Sequence, residues 1–312
     1  MNIIRMTGGM GNQMFQYALF LKLTSLGREV KFDDVSEYEG RDNARPYMLF
    51  PFGIKYPRAT EEEIKTITDG FMYLSHRIRR KILGRKTLEY HEKDCNFDSK
   101  VLEKDPAYLT GYFQSDKYFE DIVDQVRAAF VFTPVIFDNI SDELMEKVRE
   151  YENKTDGCYS VSIHIRRGDY LESDEVYGGI CTQIYYERAI ALIKKHHPEA
   201  VFFVFSNEDD FADRWCHEKE DTQGGTFIPV LGFSEDMGYL AMYLMCRCRS
   251  HIIANSSFSW WGAYLNPRSD KMVIAPSKWF NHQDCEDIYT KDMIKITAKG
   301  DVLCPQEAKK KS

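Results

Sequence analysis

Ser162-Ile163-His164-Ile165-Arg166-Arg167-Gly168-Asp169-Tyr170 is the stretch from which the architecture of this chain can be worked out. Its apolar residues alternate with His164 and Arg166, so it predicts a β-strand that carries the imidazole and the guanidinium on one face. The glycine that follows predicts a turn. In an open α/β sheet ligands bind at the carboxyl ends of the strands, where a planar guanidinium suits a phosphate. A surface strand with an ion pair between Arg167 and Asp169 is the alternative.

The sequence beyond this stretch alternates predicted helices with short apolar strands. Helices are predicted over residues 183–196 and 234–248, and from Trp260 to Leu265. Strands are predicted at Val201–Phe205, Phe227–Leu231, His251–Ala254 and Met272–Ala275, with Pro276 closing the last of them. Because no hairpin signal joins these strands, the pattern predicts a doubly wound parallel sheet.

Three polar clusters follow three of the strands and would lie along one edge of this sheet. The cluster that begins at Asn255 combines hydroxyls with free backbone N–H groups at a helix start, which favours an anion, and Phe258 could stack on a base. Each cluster alone is more often a helix cap, but together they predict a site for a phosphate-bearing nucleotide. The candidate residues are Arg166, Asp169, Ser206, Asn207, Asn255, Ser256, Ser257 and Phe258.

The amino-terminal residues predict a strand, a glycine-rich turn, a helix from Met14 and a second strand at Val30–Phe32. The turn lets the backbone approach a ligand closely at Gly9 and Gly11, and the amide of Asn12 follows. A dinucleotide fingerprint would need a third glycine where Met14 stands, so the sequence disfavours NAD binding and an NAD-linked oxidoreductase.

The length of 312 residues favours two domains. The polar segment Glu152–Gly157 precedes a new strand, so we predict an N-terminal domain of residues 1–155 and a C-terminal, nucleotide-binding domain of residues 156–312. Thr60 and the glutamates after it predict a capped helix start. The basic segment Arg77–Lys86 could contact an anionic membrane or a charged acceptor, although a solvated helix face is the simpler interpretation.

Composition excludes several classes of protein. A net charge of −8 argues against a nucleic-acid partner, and no apolar run approaches the ~20 residues that span a bilayer. The first residues lack the apolar core of a signal peptide, so we predict a cytoplasmic protein, with peripheral contact with the inner membrane as an open alternative. The eight cysteines show no Cys-x-x-Cys spacing and are expected to be free thiols. No Asp-x-Asp occurs and the histidines lack ligand spacing, so no metal is expected.

Three motifs together resemble the signatures of the bacterial α-1,2-fucosyltransferases, glycosyltransferase family 11. They are Gly8-Gly9-Met10-Gly11-Asn12-Gln13-Met14-Phe15-Gln16-Tyr17-Ala18, His164-Ile165-Arg166-Arg167-Gly168-Asp169-Tyr170 and Asn255-Ser256-Ser257-Phe258-Ser259-Trp260-Trp261-Gly262-Ala263. They stand in the family's order and span most of the chain.

The resemblance implies a GT-B fold, in which two Rossmann-like domains face each other across a cleft. It also implies transfer of L-fucose from GDP-β-L-fucose to the 2-hydroxyl of a terminal galactoside, with inversion and without a metal or other cofactor. The related α-1,6- and protein O-fucosyltransferases share the arginine motif. Likeness to them implies that Arg166 would hold the β-phosphate and that Ser256, Ser257 and Phe258 would hold the phosphates and base. Likeness to the protein O-fucosyltransferases implies that Asn12 would face donor and acceptor.

The chemistry of the residues agrees with these expectations. Breakage of the fucose–phosphate bond leaves negative charge on GDP, which Arg166 could stabilise, and Asn12 could orient the acceptor hydroxyl. His164 could contact the phosphate or the departing proton, or could be structural. Asp33, Asp34 and Asp169 are unranked candidates for a general base. A transferase of another linkage and a non-catalytic nucleotide-sugar-binding protein remain alternatives.

Overall fold

A computed structural model describes residues 1–36, 47–68, 78, 82, 88–138, 140–168, 174–233 and 235–303. The chain divides into two compact units, Met1–Thr133 and Pro134–Ser312. The basic segment Arg77–Lys86, apart from Ile78 and Ile82, and the candidate residue Asp169 lie outside the described residues. Across the described ranges, no helix combines the length and the apolar character needed to cross a bilayer.

The first unit is built on a four-stranded sheet in which every pair of neighbours is parallel. Its strands are β1 (Asn2–Arg5), β2 (Val30–Asp33), β3 (Glu89–His91) and β4 (Ala107–Thr110), in the order β2-β1-β4-β3. Among its described residues the helices are α1 (Met10–Ser25), α2 (Glu61–Ile67) and α3 (Val123–Ala129). The predicted start of α2 is confirmed, because Thr60 and Glu63 form a reciprocal capping box.

α1 begins earlier than the sequence predicts. Gly9 is its N-cap, so Gly11 and Asn12 lie in the first turn rather than in a loop before the helix. The helix is buried almost all round, with Met14, Phe15 and several others inaccessible to solvent. A buried helix shows little amphipathic periodicity, which is why its first turn could not be recognised from the pattern.

The segment after β4 has the apolar spacing of one amphipathic helix from Asp116 to Phe130, but it does not form one continuous helix. Two 3-10 turns, Asp116–Tyr118 and Glu120–Ile122, precede α3. Phe119 adopts φ −140° and ψ 17°, which is not helical. Its ring is buried and lies 6.4 Å from that of Phe15. Packing of this ring therefore overrides the helical pattern.

The second unit is built on a seven-stranded sheet in the order β11-β10-β9-β8-β5-β6-β7. Its strands are β5 (Ser160–Ile165), β6 (Val201–Ser206), β7 (Thr226–Val230), β8 (Ser250–Ile252), β9 (Val273–Pro276), β10 (Met293–Ile296) and β11 (Val302–Leu303). The helices found in the described part of this unit are α4 (Asp142–Asp156), α5 (Asp174–Tyr177), α6 (Gln183–His196), α7 (Asp209–Gln223), α8 (Gly238–Arg247) and α9 (Ser257–Leu265). All pairs are parallel except β10–β11.

This topology confirms the α/β class and two Rossmann-like domains, and the helix over residues 183–196 is confirmed as α6. One expectation was wrong: the strand before Pro276 is not the last, because β10 pairs with it and β11 pairs with β10. In β10 the polar Lys295 interrupts the apolar residues, so its sequence lacks the continuous apolar run of the central strands.

The division between the units lies at Thr133 and Pro134, whereas the sequence prediction separated residues 1–155 from 156–312. The polar segment taken for a linker is helical and forms the end of α4. This helix belongs to the second unit, where the Tyr151 hydroxyl donates to Pro229 O at 2.9 Å and accepts from Leu231 N at 3.1 Å. Charged residues on its solvent face gave the segment its linker-like composition.

Five cysteines are free thiols as predicted, namely Cys158, Cys181, Cys216, Cys246 and Cys248. The expectation was wrong for Cys95 and Cys285, which are disulfide-bonded. Pairing between cysteines cannot be deduced from sequence spacing alone.

Candidate active site

The carboxyl ends of three adjacent strands bring together the polar clusters of the second unit. β8, β5 and β6 are neighbours and parallel, so the residues that follow them share one edge of the sheet. Arg166 follows β5, Asn207 follows β6, and α9 begins after β8. This is the edge at which open α/β sheets bind their ligands.

His164 joins β5 to the start of α9. Its Nδ1 lies 2.9 Å from the Ser259 hydroxyl, and its ring centre lies 5.6 Å from that of Phe258. The side chain is only 5% exposed. Burial, together with the positive charge of Arg166, lowers the pKa of His164 to about 3, so the imidazole is neutral near pH 7.

The contacts of Ser259 indicate which nitrogen of this imidazole carries the hydrogen. The Ser259 hydroxyl donates to Ser256 O at 3.3 Å. With its single hydrogen used there, the hydroxyl accepts from His164 Nδ1–H, which leaves Nε2 as an acceptor. A neutral imidazole of this kind can position Phe258 and accept a hydrogen bond, but it cannot act as a cation toward phosphate.

The turn after Arg166 is fixed by Asn207 and by a glycine in the left-handed region. Asn207 Oδ1 accepts from Arg167 N at 2.9 Å, and Gly168 has φ +66°. A Cβ at Gly168 would come within 2.9 Å of Asn207 Nδ2. Asn207 therefore acts through the backbone of this turn, which makes it a positioning residue for the segment that carries Arg166.

The guanidinium of the neighbouring Arg167 contacts side chains of the protein itself. Its Nε lies 2.9 Å from Glu208 Oε2, and its guanidinium lies 4.1 Å from the centre of the Phe211 ring. Glu208 is therefore an acidic partner of Arg167. The sequence alternative named Asp169 as a partner, and that residue lies outside the described residues.

α9 presents an N-terminus that its own side chains do not neutralise. Ser256 is the N-cap, its hydroxyl makes no capping hydrogen bond, and the first turn has no acidic residue. The backbone N–H groups of a helix's first turn and the positive end of its dipole favour an anion at such a position. Ser257 and Phe258 form the first turn of α9. The placement agrees with the prediction of a phosphate site.

Asn255 is structural in its contacts. Its Nδ2 donates to Trp279 O at 3.0 Å, its Oδ1 accepts from the Cys181 thiol at 3.4 Å, and the residue is 3% exposed. These bonds fix the loop between β8 and α9. Asn255 is thus placed to hold Ser256 and Ser257 rather than to contact a ligand itself. Ser206 likewise serves its own loop, because its hydroxyl accepts from Glu208 N at 3.3 Å.

A cavity of about 350 Å³ opens in the loop that follows β9, on the same edge. Aromatic rings and planar polar groups dominate its wall, and Trp279, which bonds Asn255, is part of it. The lining residues are Ser277, Lys278, Trp279, Phe280, Asn281, His282, Gln283, Asp284, Cys285 and Tyr289. The sequence analysis did not single out this loop, because its aromatic residues give no strand or helix period.

In the first unit, two glutamines hold the glycine-rich segment against the sheet. Gln13 donates to Gly8 O at 2.9 Å and accepts from Met48 N at 2.8 Å. Gln16 accepts from Thr7 N at 3.1 Å and donates to Gly111 O at 2.9 Å. Both side chains are fully buried. Their amides therefore satisfy backbone groups that would otherwise be unpaired inside the protein.

Asn12 lies in the first turn of α1 and contacts the turn after β4. Gln114 Nε2 donates to Asn12 Oδ1 at 2.7 Å. Gly8 has φ +77°, and a Cβ there would come within 2.6 Å of Asn12 Nδ2 and 3.0 Å of the Tyr112 ring. A glycine at this position thus makes room for the asparagine amide. Gly9 and Gly11 lie beside it in the N-cap and first turn, and their contact with the donor stays a prediction.

Two of the three carboxylates considered as a general base are occupied by structural contacts. Asp33 is 1% exposed and accepts from Val35 N, Ser36 N and the Tyr108 hydroxyl at 3.2, 3.0 and 2.7 Å. Burial favours a raised pKa, but these hydrogen bonds outweigh it and lower the pKa of Asp33. Asp34 accepts from the Tyr56 hydroxyl and lies 2.8 Å from Arg58 Nε.

Glu92 is a carboxylate that the sequence reasoning missed. It follows β3 and accepts from Tyr112 N at 2.7 Å and from Phe113 N at 3.0 Å. Burial raises the pKa of Glu92 to about 7, with a smaller contribution from Asp94 and with the two backbone N–H groups acting in the opposite sense. A glutamate in a polar loop carries no local signal of this environment, because the environment is made by the turn after β4.

Among the residues that the structure describes, no three His, Cys, Asp or Glu side chains are grouped so that they could hold a metal ion.

Comparison with known proteins identifies the family. The model of glycosyl transferase family 11 matches residues 1–297. The O-antigen biosynthesis glycosyltransferase WbnK of Escherichia coli is 32% identical over 291 residues, covering 88% of this chain and 93% of the relative. An alpha-1,2-colitosyltransferase of Escherichia coli is 29% identical, over 90% of this chain and 93% of the relative. Galactoside alpha-(1,2)-fucosyltransferase 1 of Bos taurus is 27% identical, over 83% of this chain and 64% of the relative.

Two solved structures align at lower similarity. A mutant of Arabidopsis thaliana FUT1 in complex with GDP aligns with a TM-score of 0.49 and 12% identity, over 88% of this chain and 69% of that one. POFUT1 in complex with GDP-fucose aligns with a TM-score of 0.47 and 12% identity, over 88% and 97%. The match of the family model over nearly the whole chain confirms the resemblance carried by the three motifs: this protein belongs to glycosyl transferase family 11 and is a glycosyltransferase.

Proposed function

We propose that this protein is an inverting α-1,2-fucosyltransferase that moves L-fucose from GDP-β-L-fucose to the 2-hydroxyl of a terminal β-galactoside in a surface glycan. Family membership supports a glycosyl transfer reaction. The relatives whose names specify an α-1,2 linkage support that linkage.

One structural observation carries the donor assignment. Arg166 follows β5, and the N-terminus of α9 follows the adjacent parallel strand β8. A guanidinium and a helix N-terminus at one sheet edge provide two independent sources of positive potential for a diphosphate. The Phe258 ring, held against His164, adds an apolar surface beside them. This combination suits a nucleoside diphosphate sugar.

The reaction needs charge stabilisation more than it needs a strong nucleophile. The bond from the anomeric carbon of fucose to the phosphate oxygen breaks, and its electron pair stays on GDP. The acceptor oxygen attacks the opposite face of the anomeric carbon, which inverts the configuration, and the hydroxyl proton passes to a phosphate oxygen of the departing GDP or to water. Arg166 and the α9 N-terminus would stabilise the negative charge as it develops. Asn12, through its amide, would orient the acceptor hydroxyl.

In this proposal His164 has the structural role, one of the alternatives that the sequence left open. Its imidazole is neutral and bonded to Ser259, so it would position the start of α9 and not protonate the leaving group. Arg166 and backbone N–H groups would neutralise the diphosphate, so we also propose that the transfer needs no metal. A cytoplasmic location, with peripheral contact of Arg77–Lys86 with the inner membrane, also belongs to it and is testable by cell fractionation.

The donor sugar has one specific competitor. Colitose is fucose without its 3-hydroxyl, and one relative of this chain is named as a colitosyltransferase. A site that hydrogen-bonds the 3-hydroxyl would discriminate strongly against a donor that lacks it.

The test is transfer by the purified protein from GDP-fucose and GDP-colitose to a panel of β-galactosides, with EDTA in one arm and Mg²⁺ in the other. We expect transfer from GDP-fucose in both arms. Preference for GDP-colitose would mean that the donor in our proposal is wrong and that the type of reaction is right. Binding of GDP without turnover of either donor, with or without acceptor, would favour a nucleotide-sugar-binding protein that is not catalytic.

A further inference from the structure

Glu92 lies against the turn that carries the partner of Asn12. Its carboxylate spans two backbone donors, with Oε2 on Tyr112 N at 2.7 Å and Oε1 on Phe113 N at 3.0 Å. A Cβ at Gly111 would lie only 2.5 Å from Glu92 Cβ and 2.7 Å from Oε2, so the carboxylate needs the glycine beside it. Glu92 N also donates to Thr110 O at 2.8 Å. Both the side chain and the backbone of Glu92 therefore contact this segment directly.

The backbone of the turn adopts a conformation that is unfavourable for one of its residues. Phe113 has φ +55°, in the left-handed region that a bulky side chain rarely adopts. The next residue, Gln114, is 6% exposed and donates its amide to Asn12 Oδ1 at 2.7 Å. The two hydrogen bonds from the turn to Glu92 therefore support a strained backbone that places Gln114 on Asn12.

We propose that Glu92 is the positioning residue of the acceptor side: its carboxylate holds the Gly111–Gln114 turn so that Gln114 fixes the amide of Asn12 for transfer. This inference rests on the proposed function, in which Asn12 orients the acceptor hydroxyl.

The protonation state of Glu92 decides how well the turn is held. An ionised carboxylate offers two accepting oxygens, whereas the protonated acid turns one of them into a hydroxyl that accepts poorly. The groups around it are Asp94, which favours the protonated form, and the hydroxyls of Tyr90 and Tyr118. With its pKa raised to about 7, Glu92 holds the turn fully only above neutral pH.

The variant Glu92→Gln tests this role because a carboxamide resembles the protonated acid at every pH. Its matched control is Glu103→Gln, which makes the same change at an exposed carboxyl group of the same unit. Transfer would be measured from pH 5.5 to 9 for both variants and the wild type, with GDP affinity measured in parallel by calorimetry. The amide signal of Phe113 in ¹⁵N-phenylalanine-labelled protein would report the hydrogen bond directly.

We expect wild-type kcat to fall as the pH is lowered, with a midpoint near the pKa of about 7. The kcat of Glu92→Gln should not fall in this way at low pH and should be roughly tenfold below that of wild type at pH 8.5. Its GDP affinity should be unchanged, and Glu103→Gln should behave like wild type. The Phe113 amide should titrate in the wild type and not in Glu92→Gln. In a Gln114→Ala background the effect of Glu92→Gln should largely disappear, because the two residues act in series.

Two results would overturn the inference and leave the proposed function intact. One is the same fall of kcat at low pH in Glu92→Gln, and the other is a Phe113 amide signal that does not titrate near neutral pH in the wild type. Full additivity of the two substitutions would also overturn it. Absence of transfer by the wild type at every pH would instead contradict the proposed function, and the inference would fall with it.

Discussion

His164 Nδ1 lies 2.9 Å from Ser259 Oγ, so a buried hydrogen bond ties the end of β5 to the first turn of α9. Arg166 stands two residues beyond this histidine, and Ser256 to Phe258 stand just before this serine. The proposed diphosphate site is therefore assembled by one strand end and one helix start that share a buried contact.

The buried imidazole predicts a pH dependence of folding. The folded-state pKa of His164 is about 3, below that of an exposed histidine, so its contribution to stability is complete above about pH 6.5 and is lost as the pH falls. His251, buried between Ser162 and Asn266, behaves in the same way. Each should add a slope of about 1.4 kcal/mol per pH unit below pH 6. The free energy of unfolding of His164→Asn, measured with urea at pH 5 and pH 7, should depend less steeply on pH than that of wild type, by the contribution of one histidine. An unchanged slope would mean that the imidazole is charged in the folded protein.

Replacement of Arg166 should separate chemistry from folding. Arg166→Ala should lower kcat by about 10²–10³-fold, because the developing charge on GDP loses its cation, while the melting temperature stays close to wild type. Arg166→Lys should recover only part of the activity, since an ammonium cannot form two parallel bonds to phosphate. Arg214→Ala, an exposed arginine of α7, is the control. Activity of Arg166→Ala within tenfold of the control would remove Arg166 from the mechanism.

Asn12 belongs to the other unit and should behave differently from Arg166. Asn12→Ala should lower transfer by about 10–100-fold because the acceptor hydroxyl loses its orientation. GDP affinity should be retained, because the proposed phosphate site lies in the second unit. Isothermal calorimetry with GDP checks this separation, and a large loss of affinity in Asn12→Ala would place the asparagine on the donor instead.

Gly168 can be compared with a second glycine of nearly identical backbone conformation. Gly168 and Gly179 both have φ +66°, but a Cβ at Gly168 meets Asn207 Nδ2 at 2.9 Å, whereas none of the described heavy atoms lies within 4 Å of a Cβ at Gly179. Both alanine variants should lose a similar ~1–2 kcal/mol of stability from backbone strain. Only Gly168→Ala should also weaken GDP binding, through displacement of Asn207 and the turn after Arg166. Equal GDP affinity in the two variants would contradict the role given to Asn207.

Glu92 should lower the stability of the folded protein at neutral and alkaline pH. Its folded-state pKa of about 7 exceeds the ordinary value of 4.5, so the folded protein binds more protons than the unfolded chain between these values and stability falls as the pH rises through them. The free energy of unfolding of wild type, measured with urea, should therefore fall between pH 5 and pH 7, and Glu92→Gln should lack this contribution to the slope. The same slope in Glu92→Gln and wild type would contradict the raised pKa of Glu92.

The second unit was the more predictable part of the chain from sequence. Its central strands are continuous apolar runs and its helices begin at recognisable caps, as at Thr182 before α6. The three polar clusters were placed on one edge because parallel strands impose that arrangement. The final strands were missed because Lys295 breaks the apolar pattern of β10.

The roles of individual side chains were less predictable. Period-two alternation put His164 and Arg166 on the same face of β5, but it could not show that Ser259 meets the histidine from α9. Glu92 and Gln114 gave no signal, since the strained turn at Phe113 that joins them to Asn12 exists only in three dimensions. Sequence periodicity reports which face a residue occupies, whereas tertiary contacts decide its partner and its pKa.

The central claim is most directly tested by the linkage of the product that this protein forms from GDP-fucose and a β-galactoside. Two-dimensional NMR of the purified product should show a correlation between the anomeric proton of fucose and position 2 of galactose, with the α configuration. A product linked to another hydroxyl would contradict the α-1,2 assignment. A product that retains the β configuration of the donor would contradict inversion.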